Sequence, residues 1–320
     1  MTLINQSQWS RYELFNLTAP SSVLNGFLYM FPYCLLNSST VSLMNVNGSD
    51  IRFTDINDNI LVHDHVGFSK TGSLASGLAM FWSPTDLTQT KVWVGNASAT
   101  GHITPENAYP SGLRGIWPMA SNDSTGLLDR TNYNNDLTAD VATVLANYGG
   151  IITGTNATSL NGTNQGFTAT GSIPASPFPV TLISYMRPAL DSAAYVMAGV
   201  YDTGSPLNFT ELMFNGTAAG DPTQYNVVAG TATFAQSAGL DVAPNTWYQF
   251  AGVSNTATSR YAALNGSNVG SGDGSSWTPT GQDTIALGKR LTSGGSAFRV
   301  SGKFYLPQVW TTGLHRHWLA

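Results

Sequence analysis

With 320 residues, the chain is long enough for two domains of ordinary size, each able to bury its own core. Its net charge of −5, its pI of about 5.4 and the lack of any basic block exclude the clustered Lys and Arg by which proteins bind nucleic acid. Only 10% of residues are charged, against roughly 25% in a typical globular protein, and Ser, Thr, Asn and Gly take their place. This composition is typical of many strands joined by short polar turns, so an all-β protein is predicted.

The first apolar run, residues 26–36, is too short for a membrane helix, which needs roughly 20 apolar residues, so no membrane insertion is expected. Cys34 lies within this run and is predicted to be a buried, inert thiol. As the single cysteine, it excludes an intrachain disulfide and any Cys-based zinc site. The N-terminus lacks the features of a signal peptide, which favours a protein that reaches its site without secretion, as virion proteins do. The alternative, a signal that has been removed, would make the protein extracellular or place it on a cell surface.

Short strands separated by Asn/Asp/Gly turns are typical of a β-sandwich. They are predicted at VSLMNV (41–46), IRFTD (51–55) and ILVHDHVGF (60–68). The segments at 48–66 (GSDIRFTDINDNILVHDHV) and 90–100 (TKVWVGNASAT) resemble a family of small β-sandwiches of unassigned function, often found directly ahead of concanavalin A-like domains in surface and phage proteins. Asn59 stands where that family has a turn glycine, and Asn tolerates the left-handed geometry that such a turn needs.

Residues 111–136 are predicted to bridge two domains. Gly115-Ile116-Trp117 and Asp123-Ser124-Thr125-Gly126 match the strand and loop that open the jelly roll in this family arrangement. Pro118-Met119 stands where the family has a His, so no role tied to that His is carried over. The resemblance implies a small β-sandwich at 1–108 and a jelly roll at 109–320. Residues 141–148 form the one segment predicted to make a short helical turn.

A hairpin is predicted between Asn245 and Val269. A strand that starts at Trp247 leads through a polar loop into a second strand, Arg260–Leu264, which ends in the turn dipeptide Asn265-Gly266. This order resembles the signature strands of laminin G-like, concanavalin A-like jelly rolls. Further matches in the expected order are TLISYMRP (181–188), TIALGKR (284–290) and SGKFYLPQVWTTGL (301–314). The resemblance covers about half of the chain and implies that the C-terminal domain is such a jelly roll.

Concanavalin A-like folds include glycoside hydrolases, whose activity depends on a pair of carboxyl groups. Retaining hydrolysis needs two carboxyl groups about 5–5.5 Å apart, which the resembling enzymes place as E-x-D-x-x-E on one strand. None of Glu13, Glu106 and Glu211 has an acidic neighbour at that spacing, and no D-x-D pair lies on a predicted jelly-roll strand. We therefore expect no enzymatic activity; the alternative is a polysaccharide-active glycoside hydrolase with an atypical carboxylate pair.

Two sequence features raise the question of a metal. His63 and His65 flank Asp64 on a predicted strand, so their rings share one face, and His315 and His317 repeat the spacing. Chance placement of histidines is the favoured interpretation. Laminin G-like domains often bind calcium at the rim of the sandwich, where the candidates by position are Asp123, Asp202 and Asp273. Calcium takes about six to eight oxygen ligands, and these loops lack clustered acids. No cofactor is expected, and calcium is the one ion left open.

A sugar site combines an aromatic platform with hydrogen-bonding groups. Trp277 lies in the polar loop at 270–283, next to Asp273, and Tyr201 and Asp202 occupy a similar setting. An aromatic ring exposed in a loop indicates binding, because it forgoes the stabilisation of burial. The predicted ligand-binding residues are therefore Tyr201, Asp202, Asp273 and Trp277. The alternative is that these rings cover the ends of the sandwich.

Together these features favour a non-enzymatic virion structural or adhesion protein, such as a phage capsid decoration, fibre or tail component. The expected partners are other virion or surface proteins and further copies of this chain, and the expected location is the virion. Two roles for the jelly roll stay open, binding of a host glycan and scaffolding. A secreted bacterial adhesin is the other alternative.

Overall fold

A computed structural model of the chain confirms the all-β fold class: of the residues it describes, 53% lie in strands and 5% in helices. The described residues are 3–17, 27–83, 87–99, 108–119, 128–141, 148–149, 156–170, 178–205, 208–237, 242–272, 274–293 and 295–313. The chain divides into two compact units, the first spanning Met1–Pro110 with Ile152–Thr155, the second Ser111–Ile151 and Asn156–Ala320. Within the described ranges, no helix has the length and apolar character needed to cross a membrane.

The first unit is a sandwich of two antiparallel sheets. Its strands are β1 (Arg11–Asn16), β2 (Phe27–Pro32), β3 (Arg52–Thr54), β4 (Ile60–Leu61), β5 (His63–Thr71), β6 (Leu74–Ser83) and β7 (Gln89–Val94). Its helical segments are two 3₁₀ turns, Gln6–Gln8 and Tyr33–Leu35, and the helix α1 (Ser38–Leu43). One sheet has the order β1-β7-β3-β4 and the other β2-β6-β5. Phe31 and Phe81 from one sheet pack with Phe53 and Val92 from the other, which places the core between the sheets.

Three expectations for this unit were wrong. The first half of the predicted strand at 41–46 lies in α1, and Met44 directly follows the helix; Val41 and Met44 are buried while Leu43 is 44% exposed. Burial three residues apart is the spacing of a helix, which the short apolar run concealed. Cys34 is exposed, because the 3₁₀ turn directs its neighbour Tyr33 into the core instead. In the 56–59 turn, Asp58 has the left-handed φ of 67°, and Asn59 instead bonds through its side chain to Asp55.

The second unit is a larger sandwich, built from two antiparallel sheets and a hairpin. Its first strands are β8 (Leu113–Ile116), β9 (Thr138–Ala139), β10 (Tyr148–Gly149), β11 (Asn156–Asn161), β12 (Phe167–Thr170), β13 (Val180–Pro188), β14 (Ala194–Tyr201) and β15 (Asn208–Asn215). The others are β16 (Thr223–Ala229), β17 (Thr231–Gln236), β18 (Tyr248–Ser254), β19 (Arg260–Leu264), β20 (Ser267–Ser271), β21 (Thr284–Leu287), β22 (Arg290–Thr292), β23 (Gly295–Ala297) and β24 (Ser301–Trp310).

Crossovers between the sheets give this unit its jelly-roll topology. The eight-stranded sheet has the order β10-β11-β24-β13-β18-β19-β20, with β8 also paired to β24. The seven-stranded sheet has the order β17-β16-β15-β14-β21-β12-β9, and β22 and β23 form the separate hairpin. Large side chains from both sheets, among them Phe250, Phe214 and Tyr225, fill one core between them. Two tandem β-sandwiches, the second a concanavalin A-like jelly roll, are thus confirmed as the fold class.

The predicted hairpin is present in detail. Strands β18 and β19 pair from Phe250 opposite Leu264 to Ser254 opposite Arg260. The turn after β19 has φ angles of 50° at Asn265 and 65° at Gly266, the left-handed geometry for which this dipeptide is suited. The segment at 141–148 that was predicted to be helical falls mostly outside the described residues.

Buried tyrosines make both units sensitive to alkali. Tyr33, Tyr201 and Tyr225 are fully buried, and burial is the main cause that raises the pKa of each hydroxyl above its ordinary value of 10.0. Their protons leave the unfolded chain at about pH 10, but not the folded one. Stability is therefore complete below about pH 10 and declines as the pH rises further. We expect tyrosinate absorbance of these residues to appear together with loss of circular dichroism, whereas full ionisation with intact dichroism would contradict their burial.

Candidate functional site

The outer face of the seven-stranded sheet carries side chains that the core does not use. Along β15, Leu212 and Phe214 enter the core, so the alternate residues Phe209, Glu211 and Met213 point away from it. On the neighbouring strand β16, the residues directly opposite these three are Val228, Asn226 and Gln224. A carboxylate is thereby placed in the middle of an apolar strand, on the face opposite to the core.

Glu211 forms the centre of this face. Its side chain is 0% exposed, and Arg290 from β22 donates to both carboxylate oxygens, with a distance of 2.9 Å from Nε to Oε2. Tyr201 Oη donates to Oε2 over 3.0 Å, and Asn226 Nδ2 donates to Oε1 over 2.7 Å. A buried charge is tolerated only when it is paired and its lone pairs are satisfied, and these contacts meet both conditions.

The guanidinium of Arg290 lies against two aromatic rings. Its central carbon is 4.3 Å from the ring centroid of Phe298 and 5.4 Å from that of Phe209. Burial alone would lower the pKa of Arg290, but the hydrogen bonds and the negative charge of Glu211 together outweigh it and raise that pKa above its ordinary value. The guanidinium therefore keeps its positive charge at every pH at which the protein is folded.

A glycine makes room for the tyrosine that completes the site. A Cβ on Gly199, which lies on β14 opposite Glu211, would come within 2.5–2.7 Å of three atoms of the Tyr201 side chain. Because Gly199 has no side chain, the ring can lie over its backbone and reach the carboxylate. Burial, followed by the charge of Glu211, raises the pKa of Tyr201 well above its ordinary value, so its hydroxyl stays a donor.

A row of amide side chains extends from the ion pair across the sheet. Asn226 accepts from Gln224 Nε2 over 2.7 Å, and Gln224 accepts in turn from Asn215 Nδ2 over 2.9 Å. Thr217 Oγ1 donates to Asn215 Oδ1 over 2.7 Å at the far end. These side chains hold each other in fixed orientations, which a ligand-binding surface needs in order to avoid an entropic penalty on binding.

A groove of about 600 Å³ lies over this row. Two of its side chains are large, apolar and well exposed, Phe234 at 45% and Phe298 at 42%. Phe298 also has a φ of 48°, which is rare for a bulky residue and is a form of strain that clusters at functional sites. The residues that line the groove are Ala194, Phe209, Met213, Asn215, Thr217, Gln224, Asn226, Val228, Gly230, Phe234, Arg290, Leu291, Thr292, Ser293 and Phe298.

The structure describes three of the four residues that were predicted from the sequence to bind a ligand. Tyr201 is 0% exposed, so the expectation of an exposed loop residue was wrong; it is the last residue of β14, and its ring is covered by Phe209 and its neighbours. Trp277 is partly buried and packs against the core, as the alternative interpretation held. Asp202 accepts bonds from the backbone of Gly204 and Ser205 and thus stabilises a turn. Asp273 lies outside the described residues.

The metal candidates gain no support from geometry. Across the described part of the chain, no three His, Cys, Asp or Glu side chains lie close enough together to hold an ion. His63 and His65 do share one face, as predicted, with 3.1 Å between their Nε2 atoms, and Tyr33 bonds to Nδ1 of His65. This contact satisfies both rings by hydrogen bonding. Asp123, His315 and His317 lie outside the described residues.

Sequence reasoning missed the groove. The sequence pattern presents Glu211 only as a candidate for a catalytic dyad and Arg290 only as part of a family signature. Two signals pointed to the pair: a rare Glu within a largely buried strand, and an Arg three residues after the end of the buried strand β21. Period-2 alternation places Glu211 on the face away from Leu212. The pairing of Glu211 with Arg290, 79 positions further along the chain, cannot be read from the sequence.

No protein-family model and no curated protein matches the chain. Among solved structures, the botulinum neurotoxin serotype D binding domain resembles it with 9% identity over 67% of this chain and 51% of that one, at a TM-score of 0.47. Domain 4 of an extracellular GH43 arabinanase from Geobacillus stearothermophilus, in complex with arabinotriose, has 13% identity over 65% of this chain and 96% of that one, at a TM-score of 0.45. The CBM40 domain of Ruminococcus gnavus IT-sialidase, bound to α2,3-sialyllactose, has 13% identity over 51% of this chain and 94% of that one, at a TM-score of 0.42. The chain thus spans about half the length of the toxin domain. At such scores, no ligand and no residue role is transferred.

The ion pair gives a stability prediction. Arg290→Met should lower the free energy of unfolding by about 3–5 kcal/mol, because it leaves the carboxylate of Glu211 buried without its partner. The double variant Glu211→Met/Arg290→Met should recover much of that loss, since no unpaired charge remains. Arg187→Met is the matched control: this half-buried Arg bonds to a backbone carbonyl, and its loss should amount to about 1 kcal/mol. Urea denaturation measures all three, and a double variant no more stable than Arg290→Met would contradict the argument.

The packing of Trp277 gives a second prediction. Trp277→Ala should lower the free energy of unfolding by roughly 2–4 kcal/mol, because the ring packs against the core and its removal leaves a cavity. The measurement is denaturant unfolding followed by circular dichroism. An unchanged midpoint would show that the ring is dispensable for the core and would return Trp277 to the list of ligand contacts.

Proposed function

We propose that the second unit is a glycan-binding domain and that the groove on the seven-stranded sheet is its binding site. The observation that carries this proposal is the combination of exposed aromatic rings and oriented polar groups around one cavity. Phe234 and Phe298 offer apolar faces, while Asn215, Gln224 and Arg290 offer hydrogen bonds. A sugar ring has apolar C–H faces and a rim of hydroxyl groups, so it suits this arrangement.

The arrangement favours binding over catalysis. Glycoside hydrolysis needs two carboxyl groups that reach the scissile bond. No acidic residue is among those that line the groove, and Glu211 lies buried beneath it with its oxygens occupied. A weak binding site is expected, with a dissociation constant on the order of 0.1–1 mM, which corresponds to about 4–5.5 kcal/mol.

Phe298 allows a test that separates binding from folding. Phe298→Gly should relieve the left-handed strain, worth about 1–2 kcal/mol, and lose a cation–π contact worth about 0.5–1 kcal/mol, so stability should change little. Glycan affinity should fall about tenfold or more in this variant, and also in Phe234→Ala. Retention on a glycan array, with titration calorimetry on the best glycan, measures the change.

Leu190→Ala is the control, because Leu190 is 54% exposed in the same unit and does not line the groove. Two outcomes would overturn the proposal. If the intact protein retains no glycan, the second unit is a scaffold. If retention is lost in Trp277→Ala at unchanged stability but kept in the Phe298 and Phe234 variants, a glycan binds at the loop around Trp277 instead.

We further propose that this domain serves a non-enzymatic virion or adhesion protein that works in several copies. The support is the sequence resemblance to domain pairs of phage and surface proteins, together with a weak site that gains avidity from repetition. Genes for capsid, tail or fibre proteins beside this one would favour the virion over a secreted bacterial adhesin.

A further inference from the structure

We infer that the groove selects neutral sugars over sugars that carry a carboxylate, and that the buried Glu211 sets this preference. The inference rests on the proposed function, since it names the class of glycan that the same groove takes. It follows from the pairing of Arg290 with Glu211, which balances the positive charge of Arg290 within the protein.

Arg290 is the one charged residue among those that line the groove. An arginine exposed in a sugar site would ordinarily recruit a carboxylate, which it binds through two parallel hydrogen bonds. Here Nε and Nη2 of Arg290 already make that pair of bonds, to Glu211. Because Glu211 is 0% exposed, the negative partner is part of the protein and cannot be displaced by solvent or ligand.

The N–H groups of Arg290 that Glu211 leaves unused suit a neutral acceptor. Nη1 makes no hydrogen bond to any described residue, whereas the rings of Phe298 and Phe209 lie against the guanidinium. A hydroxyl or acetamido oxygen can accept from Nη1 without bringing a second charge. A ligand carboxylate would lose its hydration and meet a guanidinium whose charge is already balanced, close to the like charge of Glu211.

The other polar groups of the groove agree with this assignment. Asn215, Thr217, Gln224, Thr292 and Ser293 are all uncharged. Amide and hydroxyl groups both donate and accept, which matches the mixed hydrogen bonding of sugar hydroxyls. Among the described residues that line the groove, none besides Arg290 offers a positive charge to a carboxylate.

The test compares matched sugars on the intact protein. Cello-, galacto-, manno- and chito-oligosaccharides are each immobilised beside their counterparts in which the primary hydroxyl is oxidised to a carboxylate. The wild-type chain should retain at least one neutral form, with about tenfold higher affinity than its oxidised counterpart. Glu211→Gln keeps the size of the side chain and removes the balancing charge, so it should reduce that ratio about fivefold or more.

Glu13→Gln is the matched control, because it removes the same charge in the first unit and should leave the ratio unchanged. A wild-type chain that binds the oxidised forms equally well or better overturns the inference while the proposed function stands, and so does a ratio that Glu211→Gln does not alter. Retention of neither form by the wild type overturns the proposed function itself. If Glu211→Gln does not fold, the wild-type ratio alone decides.

Discussion

The buried carboxylate of Glu211 is the constraint on which the outer face of the seven-stranded sheet depends. A charge that is fully removed from water destabilises a protein by several kcal/mol unless partners compensate it. Arg290 supplies the opposite charge, while Tyr201 and Asn226 occupy the remaining lone pairs. The ring of Tyr201 occupies the space that a side chain at Gly199 would fill. One acidic residue is thereby compensated by side chains from three other strands, β14, β16 and β22.

This constraint also shapes the face of the sheet that points away from the core. Antiparallel sheets commonly bury one face and leave the other to solvent. In this protein the face that points away from the core is partly polar and partly apolar. The row of amide side chains begins at the ion pair between Glu211 and Arg290, and phenyl rings flank that row. Phe298 is held in a strained backbone conformation with its ring against Arg290.

The fold was more predictable from the sequence than the site. Turn dipeptides and strand alternation are local, so the hairpin with Asn265-Gly266 and the all-β class could be predicted. Whether a residue at the end of a strand is buried depends on contacts with other segments of the chain. Tyr201 was expected in an exposed loop, yet it ends β14 and its ring packs against that of Phe209. Short apolar runs are ambiguous in the same way, since the segment from Val41 to Met44 fits either a strand or a helical turn.

Polar character of a loop was also a poor guide to exposure. Trp277 lies among Gly, Ser and Thr, which suggested a ring in solvent, but those small residues let the loop fold its one large side chain onto the core. The rings that are exposed, Phe234 and Phe298, stand on or beside strands, where an apolar residue is usually assigned to the core. A binding face built on strands is more rigid than one built on loops, because the sheet fixes each backbone position. The site is therefore better defined by what lies beneath the groove, a compensated charge and a row of amides, than by the aromatic residues that first attract notice in the sequence.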